Sequence, residues 1–519
     1  MRKTLLTIAV ALMAIVTNAQ TWTTLKWDKS TPDENTLVKT AADGSVYIAS
    51  VFSETFTFGS STLTTDIENS GLIAKFNADE TKAWAVGFIG SCTFTSIDTD
   101  AEGNIYGVAK IVDEVKFAGT DKVEGTVAVA EGDVATLVVK IDKDGVVKAS
   151  KLISSSTDPE IAFADFPFYL GEGLEVIPNH IEVADNNVYL SVIYTGDIKT
   201  DNVDWKASYL LLDYMMYFDN RSAGILSLNA NDLSGAESVA NLQMTGIIGY
   251  DVQHYPEAIN FTVDNGVVYA GFFGLGDLTL TTAAGQKDMS LNASSTEEGY
   301  NEHPFILATI NGNETTVNEV HGTANDILYN PYTIKKMVSK GDDLYIVGTF
   351  AGVLPFNKEK AHKGYNDLFA VSINKNTAAT NWSCTSEFDE SSDGAEVATV
   401  LLVSSDKVFV SGYASTQSEE NTTLTPLSYN IDATGTATTG DTSMLFVDAD
   451  DNGKGLTAVS YINVGAQVHG VALYESPTTN IQTVKTAVKA DDKVYNLNGQ
   501  QVTTPSKGLY IVNGKKVLF

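Results

Sequence analysis

Short apolar runs, rich in Val, Ile, Tyr and Phe and cut by Gly, Asn and Asp, recur along most of this chain. No long stretch carries the helical period, so the runs predict strands joined by tight turns. The stretch "DGSVYIASVFSETFTFG" (Asp43 to Gly59) sets the pattern. It has a turn signal, a β-branched and aromatic run, and a second aromatic run ending in Phe-Gly. Both faces of its first run are apolar: Val46, Ile48 and Phe52 on one, Tyr47, Ala49 and Val51 on the other. A strand of that kind expects cover on both sides.

The same beat returns at Glu102, Asp185, Asp264, Asp342 and Asp406, with Tyr47, Tyr106, Tyr189, Tyr269, Tyr345 and Phe409 as its shared aromatics. An apolar run precedes each beat, such as "FTSIDTD" or "HIEVA". A third run ending in Asn or Asp follows, such as "LIAKFN", "LVVKID" or "MLFVD", and then a fourth, such as "KAWAVGF". Four antiparallel strands per unit and six units predict an all-β, six-bladed β-propeller, in which radial stacking buries both faces of each sheet. Independent β-sandwiches would need about seven strands per ~100 residues, more than these units hold. A seven-bladed ring is the alternative, with Trp22 to Asp28 and Val468 to Glu475 in an extra blade. In the preferred reading "TWTTLKWD" supplies a fourth strand that pairs with the last blade and closes the ring.

"DGSVYIASVFSETFTFGSSTL…GLIAKFNADETKAWAVGF" (Asp43 to Phe88) resembles the secreted bacterial propeller repeats of the SBBP type. Those read Gly-x-Val-Tyr, Phe-Gly, Phe-x-Ala-Lys and then Trp. The first unit matches best, the second and fifth in part, and the others drift and carry insertions. The resemblance implies architecture and no particular activity.

The ends differ from the middle. Arg2 and Lys3 precede an apolar stretch, Leu5 to Val16, and Thr17-Asn18-Ala19 offers a cleavage site before Gln20, so residues 1–19 read as a signal peptide. The apolar stretch is shorter than the ~20 residues a membrane helix needs, and the expectation is an exported protein without membrane insertion. The propeller is assigned to 20–476, a linker to 477–493 and a small β module to 494–519. Asn498-Gly499 and Asn513-Gly514 sit between alternating apolar residues, a strong hairpin signal. The tail is net positive in a chain of formal net charge −32. Val494-Tyr495-Asn496-Leu497, Gly499-Gln500 and Gly508-Leu509-Tyr510-Ile511-Val512 resemble the C-terminal sorting domain of type IX secretion in Bacteroidetes. That resemblance implies outer-membrane secretion machinery as a partner and a secreted or cell-surface destination. A plain capping module is the alternative.

Charge and motifs narrow the chemistry. The acidity disfavours nucleic acid, which needs clustered Lys and Arg. Cys92 and Cys384 each follow a Trp-bearing run (Trp84, Trp382), predicting equivalent places in two units and two separate, mostly buried thiols. Asp448, Asp450 and Asn452 with Gly453 match the start of a calcium loop, but Leu456 and Val459 stand where later ligands belong. The six His residues show no zinc spacing, and there is no nucleophile elbow, phosphate loop or dinucleotide fingerprint. No cofactor is expected beyond that calcium candidate.

Within a propeller blade the first-to-second and third-to-fourth turns share one face. Here they are short, while the other connections are long: Asp204 to Ser222, Ala283 to His303 and Ser415 to Thr442. Long loops on a rigid scaffold are where binding residues concentrate. His180, Tyr209, Tyr214, Tyr217, His254, Tyr255, Tyr329 and Tyr332 are the candidates on that face, with apolar bodies and polar tips suited to sugar rings or peptides. The sequence therefore points first to a non-catalytic propeller binding a carbohydrate, peptide or cell-surface partner. A glycan hydrolase or lyase on the same scaffold, and a structural cell-surface protein, are the alternatives.

Overall fold

The structure is a computed structural model. It describes residues 22–27, 36–119, 126–156, 168–169, 174–206, 208–212, 216–244, 258–274, 276–291, 303–322, 332–361, 365–386, 394–404, 407–417, 422–440, 443–454, 456–463 and 468–475. In the tail it describes 494–495, 501–502, 509–512 and 515–518. The 1–19 segment and the 477–493 linker lie outside the described residues. Contacts divide the chain into a compact unit of Thr23–Leu473 and a second one made of Met1–Trp22 and Tyr474–Phe519.

The described residues are all-β, with no helix, and so with no helix long and apolar enough to cross a membrane. In the larger unit the strands follow one another as four-stranded antiparallel meanders. The first repeat is Leu37–Thr40, Val46–Phe52, Ser70–Phe76 and the start of Lys82–Thr99. Lys82–Thr99 runs on to become the innermost strand of the second repeat, followed by Ile105–Ala118, Val134–Ile141 and Val147–Ile153. The innermost strands of the next five are Val176–Ala184, Asn260–Asp264, Tyr332–Lys340, Gly394–Val403 and Leu445–Asp451. Each innermost strand lies against the next, and Leu445–Asp451 lies against Leu37–Thr40, so the set closes on itself.

This strand order holds seven meanders among the described residues, where the repeat pattern led us to expect six. The difference lies in Ser415 to Thr442, expected as an insertion. It contains Thr422–Asp432 and Ala437–Thr439, the third and fourth strands of the sixth repeat. The run "MLFVD", expected as a third strand, instead opens a seventh repeat, Leu445–Asp451, Leu456–Asn463 and Val468–Glu475. That sheet takes Trp22–Leu25 as its fourth strand, the closing role expected for "TWTTLKWD". Ala458 occupies the place of the aromatic beat there, which hid the repeat in the sequence.

The core lies between neighbouring sheets, not within one. Tyr106, Val108 and Val138 of the second repeat share a cluster with Leu190, Leu226 and Ile181 of the third. Leu25, Val471 and Ala458 of the seventh share one with Ile48, Leu72 and Phe76 of the first. A lone repeat would leave both apolar faces in water, so stability resides in the pairs.

The motif residues fasten each repeat to the next. Tyr47 donates from Oη to the Gly103 carbonyl (2.5 Å), and Lys75 Nζ and Trp84 Nε1 donate to the Lys143 carbonyl (3.2 and 3.0 Å). One repeat on, Tyr106 Oη and Lys140 Nζ both donate to the Ala230 carbonyl (2.7 and 2.8 Å). All these acceptors lie in the tight turns of the following repeat.

In the smaller unit, Val494–Tyr495 pairs with Gln501–Val502 and with Leu509–Val512, which pairs with Lys515–Leu518. These pairings agree with the two hairpins expected there.

Candidate axial functional site

An innermost strand has one edge unpaired, and its backbone N–H groups need acceptors. Side chains of the preceding repeat supply them. Asp448 accepts from the N–H of Val38 (2.9 Å), and Asp450 from the N–H of Thr40 (2.9 Å) and from its hydroxyl. Asp98 accepts from the N–H of Val183 (2.7 Å), Ser96 from that of Ile181 (3.2 Å) and Glu182 from that of Val263 (3.0 Å).

Pairing register places Lys39, Asp98, Glu182, Thr262, Val338, Leu402 and Asp450 at one equivalent level. Six of them sit opposite the beat aromatic and Asp450 opposite Ala458. The charged members come from the seventh, first, second and third repeats. Lys39 Nζ bridges Asp98 Oδ1 (2.9 Å) and Asp450 Oδ1 (3.0 Å), joining three repeats. Two acids outweigh the cost of burial and hold the Lys39 ammonium well above its ordinary value. Burial alone would raise Asp450, but Lys39 and then Lys336 hold it below the usual carboxylate range.

A second level lies three residues earlier. Five innermost strands carry a bulge there, at Thr95, Asn179, Lys335, Thr399 and Val447. Bulges re-aim side chains and interrupt regular pairing. Between the two levels stand Ser96, His180, Asn260, Lys336 and Asp448. His180 Nδ1 lies 3.2 Å from Ser96 Oγ and its Nε2 4.0 Å from Glu182 Oε2. Burial, then Lys336, Lys39 and Lys335, push His180 down to about 3, so its imidazole is neutral. Burial, then Asp98, push Glu182 up to about 8, so near neutral pH its carboxyl is largely protonated.

Ser96, His180 and Glu182 thus form a line that looks like a nucleophile, a base and an acid. The chemistry is poor for that purpose. A base needs a pKa near working pH, the outer distance exceeds a hydrogen bond, and Ser96 already accepts from Ile181. The arrangement is better suited to holding the ring together and to presenting fixed polar groups.

The sequence candidates fall out unevenly. His180 joins the axial cluster, with its ring 5.1 Å from Phe261. Tyr332 is 2% exposed, donates to the Val353 carbonyl (2.7 Å) and packs on Phe273, which makes it core. Tyr209 and Tyr217 lie on the paired strands Ser208–Leu212 and Met216–Asn220, and their side chains lie outside the described residues. Tyr214, His254, Tyr255 and Tyr329 lie outside them altogether. Asp448 and Asp450 lie on the extended strand Leu445–Asp451, committed to Val38 and Thr40, while Asn452 Oδ1 accepts from its own turn. They do not converge as a calcium loop would, and no group of three metal-ligating side chains occurs among the described residues. The axial acids were missed because "FTSIDTD" reads as an apolar strand run and Asp448 and Asp450 as the start of a calcium loop. Their shared offset from the beat was the available clue.

The long connections have a further use. The hairpin Thr55–Phe58 with Ser61–Thr64 packs Phe56 and Phe58 on Trp27 of the closing segment (5.5 and 5.9 Å). The hairpin Gly276–Thr282 with Gly285–Leu291, part of the expected 283–303 insertion, pairs with Glu237–Met244 of the repeat before it. Within 204–222, strand pairing is likewise present. Second-to-third connections therefore reach back to clamp the previous sheet.

No known protein-family model matches the chain, and no curated protein matches it. Among solved structures it is similar to the WD40 domain of SCAP from fission yeast, at 9% identity over 88% of this chain and 98% of that one, with a TM-score of 0.33. It is also similar to a luciferin-regenerating enzyme, at 9% identity over 74% and 92%, with a TM-score of 0.30. A third is a catalytically inactive virginiamycin B lyase from Staphylococcus aureus, at 8% identity over 75% and 99%, with a TM-score of 0.28. Likeness at this level is loose, and the fold described above stands on strand order and register.

Proposed function

We propose that this chain is an exported seven-bladed β-propeller that binds an extracellular carbohydrate, peptide or cell-surface partner without catalysis. Binding takes place on the face that carries the second-to-third and inter-blade connections. The observation that carries this reading is the unequal use of the two faces. The tight turns of one face are consumed by the Tyr, Lys and Trp fasteners. The other bears the added strands of 208–220, beyond what four-stranded blades require. Ser96 and Glu182 are committed to the N–H groups of Ile181 and Val263, which supports a holding role for the axial polar groups. The tail sheet, with its resemblance to a type IX sorting domain, is proposed as the address that takes the chain to the cell surface.

A glycan and peptide array tests the binding role. The chain lacking residues 1–19 is compared with a variant whose 208–220 segment is replaced by a short Gly-Ser link. Selective binding that the variant loses is the expected result. Binding of no glycan or peptide, or equal binding by both chains, would remove the proposal.

A further inference from the structure

Lys335 sits on one of the five aligned bulges of the innermost strands, yet its side chain is solvent-exposed. Exposure on a strand of the closed ring means that the ring opens there onto water. Lys335 makes no hydrogen bond or ion pair among the described residues. The other polar bulge residues do bond: Thr95 to the Val108 carbonyl, Asn179 to Asn260 and Thr399 to the Phe446 carbonyl. Lys336, next to it, donates to the Ala449 carbonyl of the seventh repeat (3.4 Å). Lys39, Lys335 and Lys336 all stand on innermost strands, at the Asp98 level, at the bulge level and between the two. The axial acids are already engaged: Asp448 and Asp450 cap Val38 and Thr40, Asp98 holds Lys39, and Glu182 caps Val263. Of these three axial cations, Lys335 is thus the one with no hydrogen bond or ion pair among the described residues.

We propose that Lys335 is the anchor for a carboxylate carried by a sugar unit, entering the axis from the bulge side. The bulge level lies away from the tight turns, on the side of the long connections, so this assignment rests on the binding face proposed above and names its ligand class. Two observations fit it. Thr95, Asn179 and Thr399 line the same level with hydroxyl and amide groups of the kind that meet sugar hydroxyls. The formal net charge of −32 repels long polyanions and so favours a short ligand with few acidic groups.

The test uses the chain lacking residues 1–19 and two probes, a hyaluronan tetrasaccharide and its carboxyl-reduced, neutral counterpart, read by calorimetry. The acidic probe is expected to bind at least about tenfold more tightly than the neutral one. Lys335→Gln should remove that preference and Lys335→Arg should keep it, with unchanged near-ultraviolet circular dichroism in both. Equal binding of the two probes by the unmodified chain would overturn the proposal without any variant, as would a preference that survives Lys335→Gln. A third probe, a tripeptide with a free C-terminus, separates the source of the carboxylate: Lys335-dependent binding of the peptide alone would overturn the saccharide assignment. If neutral glycans bind the array and are lost with the 208–220 segment while Lys335→Gln changes nothing, the binding face stands and this inference alone fails.

Discussion

Trp84 leaves no room for a β-carbon on Gly145: one built there would lie 2.8 Å from the indole ring. Trp84 belongs to the fourth strand of the first repeat and Gly145 to the last turn of the second. The same relationship joins Trp382 of the fifth repeat to Gly435 of the sixth, with the ring again at 2.8 Å. Tyr47 stands 6.0 Å from Trp84, and Tyr345 6.2 Å from Trp382, so ring pair and glycine recur as one device.

Gly145→Ala should therefore be costly. The position has φ +85° and a ring against it, so backbone strain and overpacking add to about 2–4 kcal/mol. Gly132→Ala is the control, since φ there is +86° with open space around it. It should lose only about 1 kcal/mol. Urea denaturation of both variants reads the difference, and equal losses would mean that the tryptophan contact contributes nothing.

That device shows what was legible in the sequence and what was not. The Tyr, Lys and Trp of the best-matching repeats were visible because each blade-to-blade fastener needs the same chemistry at the same offset. The seventh repeat was hidden where Ala458 replaced the aromatic and Lys407–Gln417 ran directly into Thr422–Asp432. The axial acids were seen one at a time but not as a ring. Their meaning depends on a neighbour about a repeat away, as with Asp98 and Val183, or at the far end of the chain, as with Asp450 and Thr40. Tyr332 was misplaced because a tyrosine's polar tip serves a buried carbonyl as well as a ligand.

Stability should peak at mildly acidic pH. Glu182 has its folded pKa raised from 4.5 to about 8. Its contribution is full below 4.5 and is lost as pH rises through about 8. His180 has its folded pKa lowered from 6.5 to about 3. Its contribution is full above 6.5 and is lost as pH falls toward 3. Glu182→Gln keeps an acceptor for Val263 and cannot ionise, so it should flatten the alkaline limb of a melting-temperature profile and leave the acid limb in place. His180→Asn should do the reverse. A profile of unchanged shape in both variants would count against an axial origin.

Lys39→Met would leave Asp98 and Asp450 facing each other without their shared cation. Removing one partner of a buried pair costs about 3–5 kcal/mol, and the partial exposure of Lys39 places this loss at the low end of that range. The loss should be greatest at pH 7 and shrink toward pH 4, where Asp450, no longer held down by Lys39, takes up a proton. Chemical denaturation at both values tests this, and a loss independent of pH would point to packing of the lysine stem.

Cys92 is fully buried in the first part of the second repeat's innermost strand, while Cys384 lies on the outer strand of the fifth, opposite Ala370. They do not occupy equivalent places, although the preceding tryptophans do. Both thiols are free, and burial pushes them up, Cys384 to about 12. The thiolate is the reactive species, so at pH 8 the native chain should consume almost none of a disulfide reagent over minutes. In guanidinium it should consume two equivalents. Two fast equivalents in the native chain would contradict the packing around Gly71 and Phe94 that encloses Cys92, and none after denaturation would reveal a disulfide that this arrangement of strands does not contain.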